Sequence, residues 1–196
     1  MPGVTLADTL EHHLATDALE ATHLDVIRRF VAVHEDPFAR SILDGHCTGS
    51  AFVVSADGTA LMLVFHRKLA CWLQPGGHAE PGETRGEDVA LREAREETGI
   101  DALTLHPTAP RPIDVDVHRI PAFGDVPAHD HLDLRYLAVA PAGAVPAPDA
   151  AEIHQARWFT WEELDTLPLD RPMRRALAKV RAWLPPPGPG AGTDNR

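Results

Sequence analysis

Apolar residues near the start of the chain recur at the spacing of a helix face. They begin with Leu6, Leu10 and Leu14, and further apolar residues follow up to Val31. Side chains three or four positions apart lie on one face of an α-helix. Thr5 and Asp8 have the spacing of a capping pair, and the segment HEDPF ends the pattern. The pattern predicts helical structure from Thr5 to about His34.

From Cys47 onward the pattern changes to short apolar runs that are typical of strands. The runs CTGSAFVVSA and ALMLVFH flank the pair Asp57-Gly58, which predicts a β-hairpin. Further candidate strands are CWLQP, IDVDVHRI, LDLRYLAVA and ARWFTW, and the segments WEELDTL and RPMRRALAKVRAWL have helical patterns. Strands with helices interspersed predict an α/β fold in which helices flank a mixed β-sheet.

The same pattern divides the chain into three parts. We expect an N-terminal helical extension over residues 1–44 and one α/β domain over residues 45–184. The last twelve residues, PPPGPGAGTDNR, are rich in Pro and Gly, so residues 185–196 are predicted to be a disordered tail.

Composition narrows the function classes. The chain has 196 residues, 44% of them hydrophobic and 24% charged, as in an ordinary globular domain. A formal net charge of −11 argues against a direct electrostatic grip on nucleic acid or on an anionic membrane. A phosphate-containing substrate would therefore need a metal ion as its partner.

Location and assembly are predicted from the same data. Only two cysteines occur, there is no apolar run of eighteen residues, and the start does not resemble a secretory signal. We therefore expect a cytoplasmic protein, with a homodimer as one alternative for its assembly.

The segment GGHAEPGETRGEDVALREAREETGI, residues 76–100, concentrates acidic residues. Thr84 and Glu87 have the spacing of a capping box and Gly99 is a good C-terminal stop, which predicts a helix from about Arg85 to Thr98. Three carboxylates would share one arc of this helix: Glu93, Glu96 and Glu97. Like charges at this spacing weaken an isolated helix by a few tenths of a kcal/mol per pair, which suggests a cation between them.

A hard divalent cation is the natural partner for such a face. Mg²⁺ prefers oxygen ligands and usually takes one or two carboxylates, several waters and substrate phosphate oxygens. Arg92 has the spacing to pair with Glu96 and so to orient a ligand. The alternative is a charged, solvated helix surface, which the hexapeptide REAREE by itself would favour. The ordered string of glycines, glutamates and arginine around it favours the metal site.

The complete string resembles the Nudix box, G-x5-E-x7-R-E-U-x-E-E-x-G-U, in which U is a bulky apolar residue. Two differences from that pattern are eight residues in place of seven after the loop glutamate, and Ala94 at a position where a larger apolar residue is usual. The matching residues are Gly77, Glu83, Arg92, Glu93, Glu96, Glu97, Gly99 and Ile100.

The resemblance implies a fold, an activity and a set of site residues. Nudix enzymes have an α/β/α sandwich around a mixed sheet and cleave a diphosphate linkage in a nucleoside-diphosphate derivative or nucleotide, with Mg²⁺ or Mn²⁺ as cofactor. By resemblance, the metal ligands are Gly77, Glu93, Glu96 and Glu97, and Glu83 and Arg92 support the loop and helix. The catalytic group comprises Arg92, Glu93 and Glu97.

The general base is left open by the sequence. Glu93 is a candidate inside the box, and Asp133 and Glu152 are candidates outside it.

Histidines are numerous, twelve in all, and several cluster in the pattern. In HDHLDLRYL, alternation places His129, His131 and Asp133 on one strand face, and a hairpin would place His118 opposite. The alternatives are a wall that contacts substrate, an additional metal site, or hydrogen-bonded surface histidines. We predict that the substrate contacts come from His78, His131 and Asp133. Trp72 and Tyr136 either stack on a base or belong to the core.

Two other function classes compete with hydrolysis. Isopentenyl-diphosphate isomerases share the fold and use a cysteine and a glutamate near metal, and Cys71 lies just before the box. Nudix-like modules that bind a nucleotide without cleaving it usually lose box glutamates, which this chain retains.

Overall fold

The computed structural model describes residues 5–66, 70–148 and 155–184. The predicted tail, residues 185–196, and the candidate base Glu152 lie outside the described residues. The elements, in chain order, are α1 Leu6–Glu11, α2 Ala18–Val33, β1 Gly45–Val54, β2 Ala60–His66, β3 Cys71–Leu73, β4 Gly76–His78, α3 Gly86–Thr98, β5 Thr104–Leu105, β6 Asp114–Ile120, β7 His129–Val139, β8 Ala156–Thr160, α4 Trp161–Thr166 and α5 Arg171–Trp183.

Strand β1 organises the mixed sheet. It pairs in parallel with β7 along its whole length, from Gly45 opposite Asp130 to Val54 opposite Val139. On its other side it pairs antiparallel first with β4 and then with β2. Strands β6 and β5 extend the sheet beyond β7, and β3 and β8 pair with β2. The predicted hairpin of β1 and β2 is thereby confirmed, while β4 and β5 were not expected from the pattern.

Alternating residues of β1 face two apolar layers. Ala51 and Val53 belong to the core under α1, α2 and α3. Phe52 and Val54 belong to a second core under α4 and α5. Helices therefore cover both faces of the sheet, which confirms the predicted α/β/α sandwich.

The N-terminal helical region consists of two helices, both within the stretch that the pattern predicts to be helical. The predicted capping box of Thr5 and Asp8 starts α1, and Asp17 caps α2 by accepting a hydrogen bond from the Glu20 N–H. Helix α1 already ends at Glu11, and the extended backbone of Asp17, typical of a capping residue, precedes the first turn of α2. Leu10 and Ile27 are buried in the core that α3 also shares. A boundary at residue 44 stays a prediction.

Helix α3 begins within one residue of the expected start, about Arg85, but without the predicted capping box. The residue before its first turn is Arg85, which makes no side-chain capping bond, and the helix begins at Gly86. The Glu87 carboxylate accepts hydrogen bonds from Arg85 and from the Tyr136 hydroxyl, so it does not complete a capping box with Thr84. Gly99 ends the helix in a left-handed conformation, as predicted. Within the described ranges, every helix is too short or too polar to cross a membrane.

Candidate active site

Helix α3 lies directly on strand β1, which fixes the height of its carboxylates above the sheet. A side chain at Gly49 would place its Cβ 2.6 Å from the carbonyl oxygen of Gly86, so only glycine permits this approach. Ala90 and Ala94 are fully buried on the same side of the helix. Small residues thus allow the helix to pack closely here, and they include Ala94, at a position where the Nudix box usually has a larger apolar residue.

Two of the predicted ligands lie over the glycine pair of β4. The Oε2 atom of Glu97 accepts a hydrogen bond from the Gly76 N–H at 3.0 Å. A Cβ added at Gly77 would lie 2.7 Å from the carboxylate of Glu93. Glu96 is more open, with 54% of its side chain exposed against 17% for Glu93. The site therefore presents carboxylate oxygens beside the backbone of the glycine pair in β4.

Arg92 holds the loop and the carboxylates together. Its Nη2 atom donates to the His78 carbonyl oxygen at 2.6 Å and to Glu83 at 3.0 Å. Its Nη1 atom donates to Glu93 at 3.1 Å and to Glu96 at 2.9 Å. The additional residue after Glu83 has not broken the contact between Glu83 and Arg92. Arg92 thus orients carboxylates, and its own guanidinium nitrogens are hydrogen-bonded to protein oxygen atoms.

The ionisation of this group follows from its contacts. Burial by itself would lower the pKa of Arg92, but the hydrogen bond with Glu83 and the charges of Glu93, Glu83 and Glu96 raise it above its usual value. Burial would raise the pKa of Glu83, yet the hydrogen bonds from Arg92 and from the Glu80 N–H lower it. Both groups are therefore charged at neutral pH.

The donor set fits a hard divalent cation. Glu93 lies against the backbone of Gly77, Glu97 accepts the hydrogen bond of the Gly76 N–H, and all three glutamates offer oxygen. A Cβ at Gly77 would clash with the Glu93 carboxylate, so glycine is what lets this carboxylate approach the backbone. Oxygen donors of this kind are the ligands that Mg²⁺ or Mn²⁺ would need.

The predicted substrate-contacting residues separate into two places. The Nε2 atoms of His78 and His131 lie 3.0 Å apart. Asp133 is buried instead, and its oxygens accept hydrogen bonds from Thr48 at 3.1 Å and from Arg135 at 3.1 Å. His118 lies opposite His131 across the hairpin of β6 and β7, as the pattern predicted. Substrate contact by His78, His131 and Asp133 stays a prediction.

Burial governs the charge of these histidines. It lowers the pKa of His131 to about 2, with further lowering by His78 and other neighbouring histidines. Burial, with the charge of Arg40 and nearby histidines, lowers the pKa of His78 to about 4. Burial would also lower the pKa of His118, but Asp116 and Asp133 raise it. His78 and His131 are therefore neutral at pH 7.

His46 is a further member of this region that sequence reasoning missed. Parallel pairing of β1 with β7 sets His46 directly beside His131. Burial, with the charges of His129 and Arg40, lowers its pKa to about 4. Its isolated position at the start of a strand gave no local signal; only the strand pairing could have identified it.

The two aromatic candidates belong to the core. Trp72 packs edge-on against Phe159, with ring centroids 4.8 Å apart. Tyr136 is 1% exposed and donates its hydroxyl hydrogen to Glu87. Cys71 is half-buried, and burial together with the charge of Asp170 raises its pKa. Cys71 is therefore a protonated thiol at neutral pH.

Comparisons with known proteins agree with this geometry. A family model described as "NUDIX domain" matches residues 47–184. A NUDIX-family hydrolase structure from Clostridium perfringens shares 26% identity at a TM-score of 0.56, covering 70% of this chain and 97% of that chain.

Two further solved structures share the fold at lower identity. An Ap4A hydrolase of C. elegans, in a binary complex, shares 20% identity at a TM-score of 0.54, covering 69% of this chain and 95% of that one. The NUDIX domain of Shewanella oneidensis NrtR, complexed with ADP ribose, shares 15% identity at a TM-score of 0.52, covering 79% and 96%.

Proposed function

The chain belongs to the NUDIX family, and we propose that it is an Mg²⁺- or Mn²⁺-dependent pyrophosphohydrolase that cleaves a diphosphate linkage in a nucleoside-diphosphate derivative or nucleotide. The observation that carries this proposal is the seating of Glu93 and Glu97 against the backbone of Gly77 and Gly76. A solvated acidic helix surface would not need to lie against open glycine backbone.

The metal would be held by Glu93, Glu96, Glu97 and the Gly77 carbonyl. When bound, such an ion cancels charge on the diphosphate, polarises phosphorus and lowers the pKa of a bound water. A bound cation matters the more in a chain with a net charge of −11, because this negative charge repels a polyanionic substrate.

The protein groups around that position have distinct tasks. Arg92 keeps Glu93 and Glu96 turned toward the site while it anchors the loop through the His78 carbonyl oxygen. Glu93, at 17% exposure, reaches solvent sufficiently to accept a proton from an attacking water. Glu152 remains a candidate base from outside the described residues, and Asp133 a third candidate whose oxygens already accept hydrogen bonds.

The experiment is a substrate panel with the full-length protein. Nucleoside triphosphates, ADP-ribose and dinucleoside polyphosphates are incubated with Mg²⁺ or Mn²⁺, and the released products are separated by chromatography. We expect cleavage between two phosphorus atoms in at least one nucleotide derivative, and loss of that cleavage with a chelator.

Calorimetry distinguishes this proposal from its competitors. Binding of the best panel compound should weaken sharply when a chelator is added, since the metal carries the phosphate contact. Equal affinity without metal and no cleavage would favour a sensor module. Rearrangement of an allylic diphosphate, without its cleavage, would favour an isomerase.

A further inference from the structure

Four histidines from three strands converge beside the carboxylate site. They are His46 of β1, His78 of β4, and His129 and His131 of β7, and one ring nitrogen of each lies within 4.8 Å of the corresponding nitrogen of every other. The ring of His46 stands at nearly equal distance from the rest, with centroids 5.0 Å from His78, 5.0 Å from His129 and 5.1 Å from His131. They line one cavity of about 210 Å³.

Hydrogen bonding fixes which nitrogen of His129 points into the cluster. Its Nδ1 atom lies 2.9 Å from the Pro127 carbonyl oxygen, which can only accept, so Nδ1 carries the hydrogen. In the neutral ring the lone pair is then on Nε2, which lies 3.3 Å from Nε2 of His131. A carbonyl that orients an imidazole in this way is a common support of a metal ligand.

Protein contacts leave the cluster incompletely satisfied. Nε2 of His131 faces both Nε2 of His129 and Nε2 of His78, but it has one hydrogen or one lone pair to offer, so it serves a single partner well. His46 is 4% exposed, and neither of its ring nitrogens makes a hydrogen bond of good geometry to any residue that the structure describes. A buried polar group without a partner costs about 1–3 kcal/mol, so a ligand between the rings would relieve it.

We propose that His46, His78, His129 and His131 form a second metal site, separate from the carboxylate site, that binds a borderline transition-metal dication, Zn²⁺ foremost. Zn–N bonds of about 2.0–2.1 Å in a tetrahedron place neighbouring nitrogens about 3.4 Å apart. The two measured nitrogen separations, 3.0 and 3.3 Å, are close to that value.

The chemistry of the cluster excludes other occupants. Mg²⁺ and Ca²⁺ require oxygen ligands, whereas imidazole nitrogen suits Zn²⁺, Cu²⁺ and Ni²⁺. Arg40 lines the same cavity, so an ion there must be held by strong ligand bonds rather than by a negative field. A phosphate group, which Arg40 alone would suit, would meet the inward lone pair of His129.

Such an ion would connect the fold to the proposed catalytic loop. His78 follows Gly77 directly, and its carbonyl oxygen accepts the hydrogen bond from Arg92. Fixing the His78 ring to β1 and β7 would therefore fix the strand over which Glu93 and Glu97 lie. The inferred role is structural support of the loop, and it does not depend on which diphosphate is cleaved.

The test measures metal binding and requires no turnover. Full-length protein without a polyhistidine tag is stripped with a chelator, dialysed, and titrated with Co²⁺ and then Zn²⁺ in excess Mg²⁺. We expect one Co²⁺ per chain with the intense visible absorption of four-coordinate nitrogen ligation, displaced by one Zn²⁺. Zn²⁺ should also raise the melting temperature, since it binds the native state.

Variants locate the site. His46→Gln and His129→Gln should each weaken Zn²⁺ binding at least about a hundredfold, because even loss of a supporting contact commonly costs 10–100-fold. His118→Gln is the matched control, since His118 lies next to His131 but outside the four, and its Zn²⁺ affinity should equal that of the parent. Glu97→Gln should likewise keep Zn²⁺ binding, which separates this site from the carboxylates.

Circular dichroism of each metal-free variant checks folding. The proposal is overturned if the parent binds neither Co²⁺ nor Zn²⁺ in excess Mg²⁺, or shows only the weak absorption of six-coordinate Co²⁺. It is overturned equally if folded His46→Gln and His129→Gln bind Zn²⁺ as the parent does, or if inorganic phosphate displaces the ion and binds in its place.

Discussion

Two groups of carboxylates in this protein differ in the source of their compensating charge. The first group lies on α3 and the loop before it and is partly exposed, and one arginine, Arg92, contacts Glu83 of the loop and Glu93 and Glu96 of the helix. The other group is buried between α2, β6, β7 and α5. Its carboxylates, Glu20, Asp114, Asp116 and Asp133, are matched by Arg135, Arg175 and Lys179.

The buried carboxylates are paired with cationic side chains of the protein itself. Arg175 donates to both oxygens of Asp114, at 2.7 and 2.9 Å, which is the bidentate geometry of strong ion pairs. Lys179 contacts Glu20 of α2 and Asp114 of β6, so the last helix is tied to the second one through the sheet. The buried carboxylates, which stabilise the fold, are paired with Arg and Lys side chains. The carboxylates of the α3 site retain negative charge that a metal ion would neutralise.

Breaking the buried network should give the largest effect. Replacing Arg175 with Met removes a cation that is 6% exposed and leaves Asp114 short of its bidentate partner. We expect a loss of about 3–5 kcal/mol in the free energy of unfolding, measured with urea.

The control for this change is Arg171→Met on the same helix. Arg171 also contacts Asp17, but 69% of its side chain is exposed, so its loss should cost at most about 1 kcal/mol. Equal destabilisation by the two changes would contradict the contrast between a buried network and surface pairs.

Removing charge from the open group should instead affect turnover. Glu97→Gln keeps the shape of the side chain but removes a proposed metal ligand, so Mg²⁺-dependent turnover should fall at least about a hundredfold. Unfolding in urea should change little, because a glutamine side-chain oxygen can still accept the hydrogen bond from the Gly76 N–H. Glu11→Gln, at an exposed helix position, controls for the change in net charge. Full turnover in a folded Glu97→Gln protein would remove the metal assignment.

The two groups of carboxylates also differ in how far they could be predicted from the sequence. Glu93, Glu96 and Glu97 were placed correctly on one face because helix geometry is local, and a period of 3.6 residues is visible in the chain itself. The buried network was invisible, since Glu20 and Lys179 are 159 positions apart and meet only when the sheet has formed. The partners of Asp133 are hidden for the same reason.

Strand β4 and His46 illustrate the same limit. The sequence Gly-Gly-His has little strand propensity, and β4 forms because β1 offers it Thr48, Gly49 and Ser50 as pairing partners. His46 joins the histidine cluster through the parallel register of β1 with β7. The fold class and the box were therefore predictable, while contacts made by nonlocal pairing were not.

Acid should weaken the buried group at a defined pH. Burial would raise the pKa of Asp116, but hydrogen bonding with His118 and the charges of Arg135, His118 and His23 lower it to about 2. A carboxyl whose folded pKa lies below its unfolded value stabilises the fold above pH ~4 and loses that contribution as the pH falls toward 2. The shift corresponds to about 2 kcal/mol.

Urea unfolding at pH 5, 4 and 3 measures this effect by comparing the parent with Asp116→Asn. The difference between the two curves reports Asp116 together with its contacts to His23 and His118, whose charges help to lower its pKa. It should shrink below pH ~4 as the parent loses the contribution of that carboxylate. A difference that stays constant from pH 5 to 3 would contradict the low pKa.

The smallest effect is expected at Cys71, which belongs to neither carboxylate group. It lies half-buried at the start of the short strand β3, and its raised pKa leaves it without the thiolate character that a catalytic cysteine needs. Cys71→Ala should therefore cost about 1 kcal/mol of stability and leave diphosphate hydrolysis almost unchanged. Urea unfolding and the product assay with the best panel compound measure the two quantities on one preparation. If the folded variant loses all activity, and the parent rearranges an allylic diphosphate rather than cleaving it, then Cys71 is part of the chemistry and the isomerase assignment should replace the hydrolase.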